Sequence, residues 1–170
     1  MQKQLSRGKF LAKDTQFTKT QPLLDIPQKF ILLDTCYLIS IATSGYPLEE
    51  SLKRLKGENS KLIVTPQVIA ELENIASGRR RENGRPVLTS REMCDLRKCF
   101  YNGTMEVVPV EISDMLRKAA RKMLRKHSEK DNERVGEWEL SLMAVAQRLG
   151  LQSISWEIRS QDSDIQAFLS

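Results

Sequence analysis

The sequence predicts an α/β fold, a three-layer sandwich of helices around a central, mainly parallel sheet. Two observations lead to this prediction. Short apolar segments at 29–34 and 62–65 have the nearly continuous hydrophobic pattern of buried parallel strands. Segments with apolar residues at helical spacing follow each of them, and strands that alternate with helices are typical of a parallel sheet.

Length and charge limit the organisation of the chain. Its 170 residues suit one domain, predicted at 29–170, preceded by a basic, loosely ordered arm at 1–28. Lys and Arg number 27 against 22 Asp and Glu, so the net charge is +5. A basic balance permits a polyanionic partner without establishing one.

Several protein classes are disfavoured by composition. No apolar run approaches the ~20 residues of a membrane span, and the N-terminus has no hydrophobic segment for secretion. Three cysteines without metal-ligand spacing indicate a reduced, cytoplasmic protein. His127 is the single histidine, which argues against zinc sites and Ser-His-Asp triads.

The first predicted strand, 29–34, ends in Asp34. Two helices are expected after it. The segment 36–42 is apolar enough to pack on the sheet, and 47–55 has leucines near helical spacing.

The second predicted strand, 62–65, leads directly into a helix. Thr65 can cap that helix through its hydroxyl, and Pro66 fits the first helical position. The helix at 67–76 turns apolar residues toward the core, and a basic loop bounded by Gly and Pro follows at 77–86.

The middle of the chain predicts a short helix at 90–100, a strand at 105–110 and a long helix at 111–130. The long helix has the clearest periodicity, with Lys and Arg on the opposite face. Its predicted core-facing residues are Ile112, Met115, Leu116, Ala119, Ala120, Met123 and Leu124.

The last third predicts a helix at 136–150, a strand at 153–156 and a terminal helix at 164–169. The second half of the 136–150 helix is apolar on most sides, so it should be buried. Gly150 is its predicted C-terminal stop.

Carboxylates are expected at one edge of this sheet, since function in such folds gathers at the carboxyl ends of the strands. Asp34 ends the first strand, Glu71 lies in the second turn of a helix, and Glu137 and Glu139 fall in the first turn of another. Further acids beyond the last predicted strand are Glu157, Asp162 and Asp164.

Converging carboxylates need protons or cations to compensate their charge. Oxygen ligands select hard cations, so Mg2+ or Mn2+ is the natural occupant, and such a site suits phosphodiester hydrolysis. Simpler roles stay open from the residues alone: Glu137 or Glu139 could only cap a helix, and Glu71 could face solvent.

The order of these acids resembles the PIN domain, a nuclease family that includes toxins of prokaryotic toxin–antitoxin pairs. The segment FILLDTCYLI matches its first motif through Asp34, and IVTPQVIAELE matches the second through Glu71. GEWELSLMAVAQRLG matches the third through Glu139, with Glu137 as a neighbour that some members share. The resemblance covers about residues 29–165.

Two departures from the family pattern are visible. The third acid is Glu rather than the commoner Asp. The fourth motif, a strand followed by Thr-x-Asp, falls by spacing on Ser155, Trp156 and Glu157, whereas residue type favours Ser160, Gln161 and Asp162. Asp162 is preferred because a short carboxylate with Ser two positions earlier fits the motif.

The resemblance implies a PIN-like fold and a metal-dependent endoribonuclease using Mg2+ or Mn2+. It implies catalytic roles for Asp34, Glu71, Glu139 and Asp162, and metal ligands among Asp34, Glu71, Glu137, Glu139, Glu157 and Asp162. It also implies an RNA partner, a protein partner or inhibitor, and a homodimer. The alternative is a catalytically inactive PIN-like module that binds RNA or protein.

Basic residues on two segments are candidates for holding the RNA backbone. They are Arg79, Arg80, Arg81 and Arg85 in the loop, and Arg117, Arg121 and Arg125 on the long helix. The helix face could instead be simply solvated.

Overall fold

A computed structural model describes residues 29–79, 81–82, 84–127 and 136–160. Its strands are β1 (Lys29–Leu33), β2 (Ser60–Val64), β3 (Arg81–Glu82), β4 (Arg85–Pro86), β5 (Glu106–Val107) and β6 (Trp156–Arg159). Its α-helices are α1 (Thr35–Ala42), α2 (Leu48–Lys56), α3 (Pro66–Asn74), α4 (Ser90–Tyr101), α5 (Asp114–His127) and α6 (Glu137–Leu151).

The fold prediction is confirmed, because helices flank a four-stranded sheet in the order β5-β2-β1-β6. All three strand pairs are parallel. The central strand β1 buries Ile31, Leu32 and Leu33, as expected for a strand covered on both faces. The carboxyl ends of β2, β1 and β6 therefore lie side by side at one edge.

Helix α6 is buried, as its apolar composition predicts. Leu142 and Val145 belong to the main core around the sheet, whereas Leu140 and Met143 belong to a second cluster with Leu116 of α5. A helix packed on two sides has little surface left for polar residues. Packing on both sides holds α6 in position against the sheet and against α5.

The last strand lies three residues later than predicted. Helix α6 continues through Gly150 to Leu151, so Gly150 is not its stop. The N–H of Ile154 donates to the carbonyl of Leu149 at 3.1 Å. This hydrogen bond holds Ile154 against the C-terminal turn of α6, so Ile154 does not start the strand. Strand β6 begins only at Trp156, so Glu157 lies inside the strand and not after it.

The strand predicted at 105–110 is reduced to two residues, Glu106 and Val107. The N–H of Val108 still donates to the carbonyl of Val64 at 2.9 Å. Pro109 has no N–H to continue the ladder, which explains the early end.

The segment predicted as a basic loop contains regular structure. A π-helical turn, Ile75–Arg79, extends α3 and includes Gly78 at φ 82°. Strands β3 and β4 then pair antiparallel. Glycine adopts a positive φ without steric cost, so Gly78 allows the chain to leave the helix there.

Helix α5 begins at Asp114, three residues later than predicted. Leu116 is buried, but Met115 is 75% exposed and Ala119 is also exposed, so their predicted core positions are wrong. Among the described residues, no helix is long and apolar enough to cross a membrane. The predicted arm at 1–28, the end of the long helix at 128–130 and the helix at 164–169 lie outside the described residues.

Candidate active site at the carboxyl ends of the strands

Asp34 follows β1 directly and is completely buried. Its Oδ1 accepts a hydrogen bond from the N–H of Tyr37 at 2.5 Å, which caps α1. Its Oδ2 accepts one from the hydroxyl of Ser160. Both oxygens of this carboxylate are therefore held in place, one by the helix that follows and one by a distant part of the chain.

Ser160 occupies the corresponding position after β6. Leu33 is paired with Arg159 in the parallel register, so Asp34 and Ser160 are the next pair along the two strands. The N–H of Asp34 donates to the carbonyl of Arg159 at 3.2 Å, which continues the ladder to this point.

Thr65 occupies the corresponding position after β2. Leu32 is paired with Ile63, so the register places Thr65 opposite Asp34 at the spacing of neighbouring strands, about 4.8 Å. Its Oγ1 accepts from the N–H of Val68 at 3.3 Å and thereby caps α3, as predicted. The same oxygen lies 2.6 Å from the hydroxyl of Ser141 in α6.

Glu139 lies in the first turn of α6 and is 7% exposed. Its Oε2 accepts from the N–H of Gly136 at 2.5 Å, a capping interaction. The capping role that the sequence left open for Glu139 is therefore present. Burial distinguishes it from an ordinary surface cap, since a buried carboxylate is costly without compensation.

Among the described residues, the buried polar and charged side chains all lie at this edge of the sheet. The buried polar and charged side chains there are Asp34, Thr35, Thr65, Glu139 and Ser141. Asp34 and Glu139 are the carboxylates of this set, and the core around them is apolar.

Two buried side-chain oxygens at the same edge have no hydrogen-bond partner: Oγ1 of Thr35 and Oε1 of Gln67. Thr35 begins α1, and Gln67 lies in the first turn of α3. Most buried polar atoms in proteins have partners, so two unpaired oxygens beside two buried carboxylates mark this edge as unusual.

Glu71 lies in the second turn of α3 and is half-buried. Within the described part of the chain, the side chain of Glu71 makes no hydrogen bond or ion pair, while its backbone carbonyl accepts from the N–H of Ile75. In residues 29–79, 81–82, 84–127 and 136–160, no three His, Cys, Asp or Glu side chains are grouped closely enough to hold a metal. Asp162, the preferred fourth acid, and Asp164 lie outside these ranges.

Glu137 is placed apart from Glu139, on the exposed side of α6. Both of its oxygens accept from the guanidinium of Arg117 on α5, and Nη2 lies 3.1 Å from Oε2. These hydrogen bonds lower the pKa of Glu137 and raise that of Arg117. The structure thus pairs a predicted metal ligand with a predicted RNA-binding residue.

Glu157 is also engaged elsewhere. It lies within β6, opposite Ile31, and accepts from Lys29 and from Nε of Arg159. Burial works against its ionisation, but the hydrogen bonds from Lys29 and Arg159 outweigh burial and lower its pKa. The alternative placement of the fourth motif on Ser155, Trp156 and Glu157 thus falls at the start of β6, before the end of the strand, and stays a prediction.

The remaining predicted RNA-binding residues are not tested. Arg80 lies outside the described residues, and for the others the structure describes the backbone but no side chain: Arg79, Arg81, Arg85, Arg121 and Arg125.

The sequence predicts the capping hydroxyl of Thr65 but not the contact of Ser160 with Asp34 or that of Ser141 with Thr65. The available signal was a serine within the apolar stretch of α6, at a position where only a paired hydroxyl is tolerated.

The fold and this edge define an α/β domain with an acidic, hydroxyl-lined site at the end of a parallel sheet. No protein-family model matches the chain, and no curated protein matches its sequence. Among solved structures, the chain is similar to Mycobacterium tuberculosis VapC20, a Sarcin-Ricin loop cleaving toxin. The TM-score is 0.49 at 17% sequence identity, covering 81% of this chain and 94% of that chain.

Proposed function

We propose that this protein is a metal-dependent endoribonuclease that hydrolyses RNA phosphodiester bonds. One observation carries the proposal: the buried carboxylates Asp34 and Glu139 belong to neighbouring elements at the carboxyl edge of a parallel sheet. Parallel α/β sheets place their reactive groups at this edge.

The residues present fit a hard cation. The buried polar side chains of this edge carry oxygen donors, and the two side-chain atoms that lack partners, on Thr35 and Gln67, are oxygens as well. Oxygen donors select Mg2+ or Mn2+ over softer metals. When bound, such an ion supplies Lewis-acid chemistry that activates water and stabilises charge at the scissile phosphate.

Each acid has a proposed role. Asp34 and Glu139 hold the cation, and their hydrogen bonds from Tyr37, Ser160 and Gly136 fix the carboxylates in advance. Preorganised ligands lose little entropy on binding.

Asp162 is proposed as the third ligand. Ser160 contacts Asp34 and lies only two residues before Asp162, as in a Ser-x-Asp motif. Glu71, half-buried in α3, is proposed to orient the attacking water. Glu137 and Glu157 have no place in the proposed site, because their oxygens are paired with cationic side chains.

The proposed substrate is RNA, held through its backbone by the Arg residues of 79–85 and of α5. A net charge of +5 supports a polyanionic substrate, especially since the acidic site contributes negative charge to that sum. The cytoplasmic location, the homodimer and the protein inhibitor stay predictions.

Cleavage of RNA by the purified chain tests the proposal, with Mn2+ or with EDTA. We expect cleavage with Mn2+ and none with EDTA. Asp34→Asn and Glu139→Gln should each reduce cleavage by at least about 100-fold, because each removes a ligand charge. Glu73→Gln is a matched control, since Glu73 is exposed and pairs with Arg97 at 3.0 Å. Cleavage that survives EDTA or Asp34→Asn would contradict the proposal.

A non-catalytic RNA-binding module is the second candidate. The observation in its favour is that the described residues bring no three potential ligands together. It predicts salt-sensitive RNA binding without turnover. Turnover that depends on both Mn2+ and Asp34 would exclude it.

A further inference from the structure

A buried hydrogen bond between two hydroxyls joins β2 to α6. Oγ1 of Thr65 lies 2.6 Å from Oγ of Ser141, across 76 residues of sequence. Both side chains are completely buried.

The direction of this hydrogen bond follows from the other contacts. Ser141 donates its hydroxyl hydrogen to the carbonyl of Trp138 at 2.6 Å, so Thr65 supplies the hydrogen between the two hydroxyls. Oγ1 of Thr65 in turn accepts from the N–H of Val68. Each hydroxyl has one hydrogen to donate, so the hydrogen of each is used and each oxygen also accepts a hydrogen bond.

The two ends of this hydrogen bond lie next to the two buried carboxylates. The strand register places Thr65 opposite Asp34, and Ser141 is two residues after Glu139 in the first turns of α6. The hydrogen bond therefore connects β2, the strand paired with the one that Asp34 follows, to α6, which carries Glu139.

We propose that Thr65 and Ser141 are positioning residues, which fix Glu139 relative to Asp34 and thereby set the affinity of the site for a divalent cation. This inference rests on the proposed function. Residues that orient metal ligands without touching the metal commonly contribute 10- to 100-fold to affinity.

Loss of either hydroxyl would leave a buried polar group without its partner. In Ser141→Ala, the hydrogen of Thr65 has no acceptor, and the first turns of α6 lose their polar connection to β2. The first turns of α6 can then move by a fraction of an ångström, which is enough to misplace Glu139 relative to Asp34. The core contacts of Leu142 and Val145 should keep the helix folded.

Mn2+ binding to the full chain, measured by isothermal titration calorimetry, tests this inference. Ser141→Ala should weaken binding by about 10- to 100-fold, and Thr65→Ser, which keeps the hydroxyl, should stay within about threefold. Ser51→Ala is the control, because Ser51 also donates to a carbonyl of its own helix, that of Pro47, but lies in α2. Circular dichroism without metal must first show that each variant is folded at the temperature used.

A second variant keeps the test decisive if Ser141→Ala proves unstable. Thr65→Val removes the same hydrogen bond from the other side and leaves Ser141 bonded to the carbonyl of Trp138, so folded Thr65→Val should also weaken Mn2+ binding by about 10- to 100-fold. Wild-type affinity in folded Ser141→Ala or in folded Thr65→Val would overturn the inference. Absence of Mn2+ binding by the wild type would instead overturn the proposed function, and this inference with it.

Discussion

The hydroxyl of Ser160 donates a hydrogen bond to Oδ2 of Asp34, and thereby joins residues 126 positions apart in sequence. The two residues follow the paired strands β6 and β1 at the same level. Oδ1 of Asp34 is held by the N–H of Tyr37, so the Ser160 hydroxyl fixes the remaining oxygen. The orientation of the carboxylate thus depends on the chain that follows the last strand.

Ser160→Ala should lower RNA cleavage by about tenfold and lower the free energy of unfolding by at most about 3 kcal/mol, the upper value for a hydrogen bond to a charged group. The reason is that Oδ2 of Asp34 loses the hydrogen bond from Ser160, so the carboxylate is held less firmly. Initial rates at saturating RNA, together with urea unfolding, measure both effects. Ser155→Ala is the control, since Ser155 is exposed and precedes β6. Equal rates for Ser160→Ala and wild type would show that the hydroxyl does not position Asp34.

Gly150→Ala should stabilise the protein by about 0.5–1 kcal/mol, because Gly150 lies inside α6 and Ala is the better helix residue. A Cβ at this position would have its nearest neighbour, Nε1 of Trp156, at 3.6 Å, which is an ordinary contact. Urea unfolding gives the change in free energy. A destabilised variant would indicate that the helix ends at Gly150, as the sequence alone predicts.

Hydrophobic patterning sufficed to predict the strands β1 and β2 and the helices that follow them. In both units a short apolar run ends at a residue that caps a helix, Asp34 or Thr65, so local signals agree with the fold. The position of β6 could not be predicted in this way. Its sequence is mixed, and its start is determined by how far α6 extends and by its pairing with β1.

The candidate site likewise contains residues that the sequence predicts and contacts that only the packing of the fold determines. The sequence indicates Asp34 because it lies at the carboxyl end of a buried strand, where a carboxylate needs partners, and Glu139 because acids favour helix N-termini. It could not indicate that Glu137 pairs with Arg117, or that Thr65 meets Ser141, because these contacts depend on the packing of α6. Hydrogen bonds between residues far apart in sequence leave no local pattern.

Glu157→Gln should reduce stability above about pH 4.5, the ordinary pKa of this carboxyl. The folded protein lowers that pKa, so the ionised carboxylate contributes stability above the unfolded value, and this contribution is lost as the pH falls through the folded pKa. The loss should be about 1 kcal/mol or less, since the partners Lys29 and Arg159 are partly exposed. Urea unfolding at pH 7 and at pH 3 measures it. Glu58 is exposed in the turn before β2, so Glu58→Gln is the control and should leave the free energy of unfolding unchanged at both pH values.

Gly136→Ala should disturb the first turn of α6 and weaken Mn2+ binding. Gly136 has φ −68°, which any residue can adopt, so backbone strain is not the reason. A Cβ there would lie 2.8 Å from Nε1 and 3.0 Å from Cδ1 of Trp138, so the indole must move. Trp138 packs against the core and its carbonyl accepts from Ser141, while Gly136 itself donates to Glu139.

The expected cost of Gly136→Ala is about 1–3 kcal/mol of unfolding free energy, typical of overpacking, together with a Kd for Mn2+ raised by about tenfold. Urea unfolding and calorimetric titration measure the two quantities. In a Trp138→Ala background the clash is absent, so the same Gly136→Ala change should cost less than about 0.5 kcal/mol. An equal cost in both backgrounds would mean that the indole does not restrict this position, and that Gly136 is required for another reason.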